Sequence, residues 1–455
     1  MLKKITVSVL LLMFALSFSL VAAQDDPLAG IDPTGQTIVY WHEWNESQSA
    51  AINTIIEAFN TTNEYGITVT TVEQGTSGAM FDAMSAGITS GQLPNLVGGF
   101  ANNAQSWYLD GVAVALDPYL DSPTWGFTEE EAADINFPLI DAYNRVANEP
   151  FNGQLLGWPI GLSANVMSVN LGMMEALGME GAPTTFEDFK TVSCAAAAYT
   201  GPKSEDVQGF PIRTSADDMV SFIVSNGGYV WDAETSQFNF TNEKAVETLQ
   251  FFADLYKEGC AYVPDTAFGN TADFAASLNP MAVGSTGGAP FITSDAKAAT
   301  EAGGTGVENW TNTITPWTEG NKTLIAFFRG IVMINGTPEQ NLATWLFIKH
   351  LATTESQITW TESTSYFPYT TSGLDGLSEE FLTANPQFSG VRNLLLDETV
   401  NVYSTPQILG VREGLAELSN LIVAITTGGQ DVATAAAEFE VLANEKLAEG
   451  QSVLE

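Results

Sequence analysis

Along the chain, segments whose hydrophobic residues recur with the period of a β-strand alternate with segments that have the period of an α-helix. A β-rich run at 37–40 is followed by apolar positions at helical spacing over 52–59 and by a second β-rich run at 67–72. The pattern continues with a helix over 80–88 and a strand over 94–99 that opens on a loop. This order is typical of a largely parallel sheet with helical crossovers, so the sequence predicts an α/β fold.

Start and stop signals for helices recur through the rest of the chain. The segments 184–187 and 337–340 fit capping boxes, and the second has proline at the first helical position. Amphipathic positions over 246–256 and an apolar run over 415–425 predict two more helices, each closed by glycine. Because ligands of open α/β sheets bind at the carboxyl ends of strands, we expect a ligand site beside the loops that follow the first strands.

The first residues have the composition of a secretory signal peptide. Two lysines precede an apolar run over 5–20, and a small-residue cleavage pattern follows at 21–23. The sequence therefore predicts a signal peptide over 1–23 and a mature protein secreted across the bacterial inner membrane. A membrane anchor is the alternative, but the apolar run is short for one. No cysteine follows the run, so we expect no lipid anchor and a periplasmic or extracellular location.

Size and charge limit the classes of partner. The chain has 455 residues, 45% of them hydrophobic, and its 15 Lys and Arg stand against 54 Asp and Glu, a net charge of −39. After the signal peptide, roughly 430 residues are too many for one ordinary core and predict two or three structural units. Binding to nucleic acid needs clustered cations, so no nucleic-acid partner is expected. The acidity favours solubility and resistance to association.

The two cysteines, Cys194 and Cys260, form an even set in a chain that is predicted to be secreted. We therefore expect a disulfide between them. In the chain-entropy treatment a loop of this span stabilises the fold by about 4 kcal/mol. Two thiols without nearby histidines make a poor metal site, and none is predicted.

The segment 41–45 places two indoles and a histidine where the first predicted strand meets a loop. A histidine beside a carboxylate can act as a general acid or base, whereas indole faces can hold the C–H face of a sugar. A secreted glycosidase would need two positioned carboxylates, for which Glu43 and Glu73 are the candidates. No motif links those two residues, and His42 and His350, the two histidines of the chain, are far apart. The sequence favours a binding protein over an enzyme.

Several short segments occur in an order that resembles a known family. They are an aromatic-His strand end at 38–44, a Phe-Asn helix end at 58–60, the run 86–97, the run 152–159 continuing to 169–170, a Gly-Gly loop at 226–228, a helix segment at 343–348 and a turn at 364–368. In this order they resemble the extracellular solute-binding proteins of ABC importers, in the family-1 group that includes maltose and glycerol-phosphate binders.

The resemblance implies a two-lobed periplasmic-binding-protein-like fold of type II. Each lobe would be a mostly parallel sheet flanked by helices, and crossing strands would join the lobes. The N-terminal lobe would comprise 31–157 and 288–333, and the C-terminal lobe 158–287 and 334–455. The resemblance also implies a monomer without cofactor, metal or catalytic residues. It would capture a carbohydrate or polyol between the lobes and deliver it to the permease subunits in the membrane.

The same resemblance implies which residues face the cleft. A sugar offers an apolar face and a rim of hydroxyls, so aromatic platforms and polar groups are expected together. The predicted platforms are Trp41, Trp44, Trp158, Tyr229, Trp231 and Tyr366. The predicted polar contacts are His42, Ser77, Asn102, Asn103, Ser163, Asn226, Ser285, Thr286 and Arg329. Trp41 and Trp44 are three apart, so on one strand they would point opposite ways.

Two departures from the group bear on the ligand. Glycerol-phosphate binders of the group carry an acidic residue near the position of Asn102 and an arginine near that of Asn401. Amides stand at both positions here. This favours a neutral ligand, because an unpaired buried phosphate is costly. Arg329, close to a predicted cleft strand, keeps glycerol phosphate or another acidic solute as the alternative.

Overall fold

The computed structural model describes residues 26–44, 46–146, 148–201 and 207–454. The predicted signal peptide therefore lies outside the described residues. Helices and strands alternate from the first described strand onward, and the predicted α/β class is confirmed. None of the helices within the described ranges combines the length and the apolar composition needed to cross a bilayer.

The strands are two to thirteen residues long, with Trp158–Asn170 and Thr323–Met333 the two longest. They are β1 (Thr37–His42), β2 (Thr68–Glu73), β3 (Leu96–Gly99), β4 (Arg145–Val146), β5 (Gln154–Leu155), β6 (Trp158–Asn170), β7 (Phe210–Pro211), β8 (Trp231–Asp232), β9 (Gln237–Phe238), β10 (Ala261–Tyr262), β11 (Met281–Ser285), β12 (Trp310–Thr313), β13 (Thr323–Met333) and β14 (Asn401–Tyr403).

The helices lie mostly between strands, and a long helical stretch follows β13. They are α1 (Glu46–Thr62), α2 (Ser77–Ser90), α3 (Ala101–Leu109), α4 (Asp117–Leu120), α5 (Glu129–Asp134), α6 (Phe137–Asn144), α7 (Leu171–Ala176), α8 (Phe186–Ala197), α9 (Ala216–Ser225), α10 (Glu243–Lys257), α11 (Gly269–Ala275), α12 (Ala289–Glu301), α13 (Pro338–Leu351), α14 (Thr354–Thr364), α15 (Thr371–Asp375), α16 (Glu379–Ala384), α17 (Pro386–Leu395), α18 (Val411–Ile425) and α19 (Val432–Gln451).

Helix starts follow the predicted capping chemistry closely. Thr337 caps α13, and its hydroxyl and the Gln340 side chain form the predicted capping box. The cap of α8 is Thr185, one residue later than the sequence pattern predicts, and its hydroxyl accepts a hydrogen bond from the backbone of Asp188. The apolar run that predicts a helix from 415 begins earlier, at Val411. These differences of one to four residues are within the range expected for helix ends.

Eight strands form one mixed sheet in the order β11-β6-β13-β3-β1-β2, with β12 also paired to β6 and β14 to β13. The strand β1 is parallel to β2 and β3, as the strand-helix-strand pattern predicts. The strands β6 and β13 are antiparallel to each other. One end of β13 pairs with β3, whereas the far part of β6 pairs with β11 and β12. These two strands therefore run through both halves of the molecule.

The buried apolar side chains form two main cores. The first surrounds β1, α1 and the first part of β6, up to Val166. The second surrounds α8, α9, α10, α18 and α19, and β6 reaches it through Met167 and Val169. We call the halves built on these cores the first lobe and the second lobe. The strand β6 thus belongs to both.

The structure corrects the predicted division of the chain between the lobes. Within the segment 334–455, predicted to belong to the second lobe, α13 and α14 bury Trp345 and Trp360 in the first core. The helices α18 and α19 bury side chains in the second core, and Tyr403 and Ile408 pack against it. The helix α12, predicted for the first lobe, packs beside α11 and β12 through Ile292 and Ala296. The physical reason is that a parallel sheet needs helices on both faces, and α13 covers the face of β1 that α2 leaves open.

A disulfide joins Cys194 of α8 to Cys260, the residue before β10, and confirms the predicted pairing. The bond closes a sequence separation of 66 residues within the second lobe. Cys260 is buried against the second core, and Cys194 packs at its margin.

Candidate functional site

A cavity of about 620 Å³ lies where the two lobes meet. Its floor is the middle of β6 and β13, because Ser163 and residues 325–328 line it. Both lobes supply its walls. The first lobe contributes Phe100 and Asn102 at the start of α3, and the second contributes 213–217 and the first turns of α18. The volume lies within the range of roughly 300–1,000 Å³ that is typical of small-molecule sites.

Hydroxyl groups cluster on the floor of the cavity. The Ser163 hydroxyl lies 2.5 Å from that of Ser285 and 3.1 Å from that of Thr286. The backbone N–H of Ala164 donates to the Thr286 hydroxyl, which is buried. Ser163 and Ser285 line the cavity, and Thr286 lies directly behind them. The cluster therefore presents two hydroxyls to a ligand on a base that β6 and β11 hold in register.

Aromatic side chains line the walls of the cavity. Phe268, just before α11, is 71% exposed, and Phe100, Phe327 and Tyr366 also reach the cavity surface. Leaving a phenyl ring open to water has a free-energy cost that a ligand covering the ring would remove. Among the described residues that line this cavity there is no tryptophan. Phe268 is the most exposed apolar platform of the site.

A fork of two hydrogen bonds fixes the position of Arg213 on the cavity wall. Its Nε and Nη2 atoms donate to the two carboxylate oxygens of Asp218 at 2.8 and 2.6 Å, and Asp218 is only 5% exposed. Burial raises the pKa of Asp218, and the Arg213 charge opposes that rise. A bidentate pair of this kind holds the guanidinium in one orientation. Arg213 therefore presents a fixed edge to the cavity.

Asp217 and Arg412 complete the charged part of the wall. Burial and the neighbouring Asp218 raise the pKa of the Asp217 carboxyl, against the attraction of Arg213 and Arg412. Arg412 is on α18 of the second lobe, and its guanidinium carbon lies 5.3 Å from the ring centroid of Phe100 in the first lobe. This cation–π contact bridges the two lobes at the edge of the cavity.

Comparison with known proteins identifies the family. The family model described as bacterial extracellular solute-binding protein matches residues 54–390, which is most of the chain. The chain belongs to this family. Its members bind solutes, so the prediction of a binding protein rather than an enzyme is confirmed. No curated protein sequence matches this solute-binding protein.

Solved structures show the same two-lobed fold. The sugar-binding protein MalE from Xanthomonas citri has a TM-score of 0.74 and 17% identity, covering 92% of this chain and 99% of that one. A cyclic alpha-maltosyl-1,6-maltose binding protein from Arthrobacter globiformis gives 0.73 and 15%, covering 91% and 99%. UgpB from Mycobacterium tuberculosis, in complex with glycerophosphocholine, gives 0.71 and 17%, covering 91% and 98%. The predicted two-lobed class is confirmed.

Four of the predicted site residues line the cavity of this solute-binding protein. They are Asn102, Ser163, Ser285 and Tyr366. The hydroxyl of the predicted Thr286 lies within hydrogen-bond distance of the Ser163 hydroxyl. Arg329 is on β13, where the pairing with β6 shifts register, and its side chain is outside the described part of the structure. Parts of the floor and of the edges of the cavity could thus be predicted from the sequence.

Trp44 and Trp158 are core residues, which corrects their prediction as platforms. Trp44 is 1% exposed, and its indole N–H donates to the Tyr40 hydroxyl at 2.8 Å. Trp158 is fully buried, its N–H donates to the Tyr369 hydroxyl at 3.0 Å, and its ring stacks on Phe127. Each indole N–H has a hydrogen-bond partner within the first core, so neither buried donor is left unsatisfied.

Trp41 and His42 also serve the first lobe rather than the cavity. The Trp41 ring packs against the cluster that contains Met80 and Trp107. His42 is 2% exposed, and its Nδ1 accepts a hydrogen bond from the backbone N–H of Trp44 at 3.3 Å. Burial lowers the pKa of His42, and the charges of Glu73 and Glu43 oppose this. His42 is therefore a neutral acceptor that shapes the turn after β1.

The remaining predicted contacts have local structural partners. Asn103 accepts a hydrogen bond from the backbone of Phe100 at 3.1 Å, and Ser77 is the first residue of α2. Trp231 packs edge-on against Phe238. Tyr229 is 39% exposed on the second lobe, where it does not line the cavity. None of these four residues lines the cavity.

Several residues that line the site were missed by the sequence analysis, among them Phe268, Arg213, Asp217 and Arg412. Phe268, Arg213 and Asp217 lie in loops or at a helix start that match none of the family segments used for the prediction. One signal was present in the sequence. The pair Asp217-Asp218 stands at the start of an otherwise apolar helix, four and five residues after Arg213, one of few arginines. Two adjacent carboxylates beside a scarce cation are typical of a positioned ion pair.

The neutral state of His42 predicts a pH-dependent loss of stability. Because its pKa in the folded protein lies below the usual value of about 6.5, protonation favours the unfolded chain as the pH falls through 6.5. We expect the stability difference between wild type and His42→Asn, which keeps an acceptor near Nδ1, to shrink from pH 7.5 to pH 5. Urea unfolding at both values measures it. A constant difference would contradict the assignment.

Proposed function

We propose that this solute-binding protein captures a neutral carbohydrate or polyol in the cavity between its lobes and delivers it to the permease of an ABC importer. The observation that carries the proposal is the pairing of the exposed Phe268 platform with fixed polar groups from both lobes. A sugar ring has an apolar C–H face that a phenyl ring covers. Its hydroxyls need both donors and acceptors, which Asn102, Arg213 and Asp217 supply.

The charge of the cavity wall supports a neutral ligand over an anionic one. Both Arg213 hydrogen bonds of the fork go to Asp218, so this guanidinium is already neutralised from behind. Asp217 adds a carboxylate close to Arg412. A phosphate at this wall would be repelled by the Asp217 carboxylate. The Arg213 guanidinium, already paired with Asp218, would offset little of that repulsion. The wall therefore suits hydroxyl groups better than a phosphate group.

The solved structures of similar fold are consistent with this class. Two of the three are described as binding proteins for sugars, cyclic alpha-maltosyl-1,6-maltose and the sugar ligand of MalE. The third is in complex with glycerophosphocholine, so glycerol phosphodiesters are the second candidate, favoured by Arg412 at the cavity edge. The proposal also includes a signal peptide over 1–23 and export without a lipid anchor. It further includes a monomeric state and no binding to nucleic acid.

Calorimetric titration with mono- and oligosaccharides, polyols and glycerophosphodiesters tests the ligand class. We expect one-to-one binding of a neutral member. Phe268→Ala should weaken that binding about tenfold or more, because covering an exposed phenyl ring contributes roughly 1.5–3 kcal/mol. Phe291→Ala is the matched control, since Phe291 is 55% exposed on α12 and does not line the cavity.

The outcomes separate the candidates. Binding of phosphodiesters alone would replace the neutral ligand by the second candidate. Equal affinities of wild type and Phe268→Ala for the bound sugar would show that the platform does not contact it. Hydrolysis of a glycoside during the titration would overturn the proposal of a binding protein for intact sugars.

A further inference from the structure

A second cavity, of about 430 Å³, lies in the second lobe and shares no lining residue with the first. Four segments build it: the start of α8, the residue that follows α9, the middle of α10 and the loop between β12 and β13. Asn226, predicted as a cleft contact, is at this cavity and not at the first. The residues that line it are Thr185, Phe186, Asn226, Glu247, Thr248, Phe251, Trp317, Thr318 and Glu319.

Aromatic rings from three of these segments line this second cavity. The rings of Phe186 and Phe251 meet edge to face with centroids 5.4 Å apart. Trp317 contributes an indole, and the Lys322 ammonium that lies 5.5 Å from its ring centroid is neutralised by the Asp397 carboxylate at 2.6 Å. Trp317 is fixed in place by a hydrogen bond from its backbone N–H to the carbonyl of Thr184. The lining thus offers π-faces of the kind that attract cations.

The side-chain hydroxyl and amide donors of the lining are already used within the protein. The Thr185 hydroxyl donates to Asp188, that of Thr248 to the carbonyl of Lys244 and that of Thr318 to the carbonyl of Ser225. The Asn226 amide donates to the Thr248 hydroxyl at 3.1 Å and is also hydrogen-bonded to Glu247. An anion needs such donors, so an anion does not match this lining.

The acceptors, in contrast, remain accessible. Glu247 and Glu319 are exposed carboxylates, and the lining contains no lysine or arginine. The hydrogen bond from Lys244 and that from Asn226 hold the pKa of Glu247 below its usual range, so it is ionised at neutral pH. Lys244 forms an exposed ion pair with Glu247, and such pairs contribute little to stability and exchange readily.

We infer that this second cavity binds a small organic cation of the substituted-ammonium class. The inference rests on the three aromatic rings, the two carboxylates and the side-chain donors, which are already hydrogen-bonded within the protein. The methyl groups of such a cation would contact the rings of Phe186, Phe251 and Trp317. Its charge would face Glu247 and Glu319. The inference is independent of the sugar class proposed for the first cavity, because the two cavities have no residue in common.

Choline and its uncharged analogue 3,3-dimethylbutan-1-ol test this inference, since they have nearly the same shape and differ in charge. Titration of the full-length protein at constant ionic strength, followed by calorimetry, should show choline binding at least tenfold tighter than the alcohol. Glu319→Gln should weaken choline binding about threefold to tenfold, and Trp317→Leu at least as much. Trp317→Phe, which keeps an aromatic face, should restore much of the loss.

Two controls separate binding at this cavity from binding of choline elsewhere on the acidic surface. Glu308→Gln removes an exposed carboxylate that does not line the cavity, and it should leave choline affinity unchanged. Phe268→Ala alters the first cavity and should also leave it unchanged. Equal binding of the alcohol, equal losses in Glu308→Gln and Glu319→Gln, or loss of choline binding in Phe268→Ala would each overturn the inference.

Discussion

Replacing both Cys194 and Cys260 by alanine is expected to lower the free energy of unfolding by about 4 kcal/mol. The disulfide closes a sequence separation of 66 residues, and chain entropy predicts a loss of this size when the unfolded chain is no longer constrained. It connects α8 to the start of β10, so the effect should fall on the second lobe. Urea unfolding followed by circular dichroism measures the change.

Chemical reduction provides the control for the cysteine double variant. Reductant should destabilise the wild-type protein by a similar amount and should leave the double variant unchanged. Comparing the two separates loss of the covalent link from any loss of packing at Cys260, which is 7% exposed. An unchanged unfolding midpoint in both experiments would contradict the stabilising role of the bond.

Asp218→Asn is expected to lower the free energy of unfolding by about 3 kcal/mol or more and to weaken solute binding as well. The substitution leaves the Arg213 guanidinium, whose side chain is 20% exposed, without its carboxylate partner. Breaking a buried pair by removing one partner costs roughly 3–5 kcal/mol. Affinity should fall because Arg213 loses the fork that fixes its orientation on the cavity wall. Denaturant unfolding and calorimetry measure the two effects.

The matched control is Glu258→Gln, which breaks the pair between Lys190 and Glu258. Both side chains of that pair are more than 40% exposed, so the loss should be about 1 kcal/mol or less. Solute affinity should not change. If Asp218→Asn and Glu258→Gln had equal effects on stability, the pair with Arg213 would not be the buried interaction described above.

Local sequence signals predicted the first lobe well because its elements follow one another in space as they do in the chain. The periods of apolar residues gave β1, α1, β2, α2 and β3, and the parallel pairing of β1 with its neighbours follows from the crossovers. Three of the four cavity residues that were predicted lie at a strand end or in a recognisable turn, whereas Ser163 lies in the middle of β6. These inferences depend on patterns within about ten residues.

The errors arose where the outcome depends on distant contacts. Trp44 and Trp158 are indistinguishable in sequence from surface indoles, and their burial depends on Tyr40 and Tyr369 being placed to accept the indole N–H groups. The assignment of α13 and α14 to the wrong lobe has the same cause, because either sheet could have used their apolar faces. Phe268 is exposed in a loop whose position depends on how α11 packs.

The course of β13 has a consequence for how the chain acquires its structure during synthesis. In the sheet order, β13 lies between β3 and β6, so the two parts of the sheet stay separate until residues 323–333 are available. Contacts over such long sequence separations form late and slowly. A growing chain that ends before β13 can therefore pair β1 with β2 and β3, and β6 with β11 and β12, but it cannot join these two parts into one sheet.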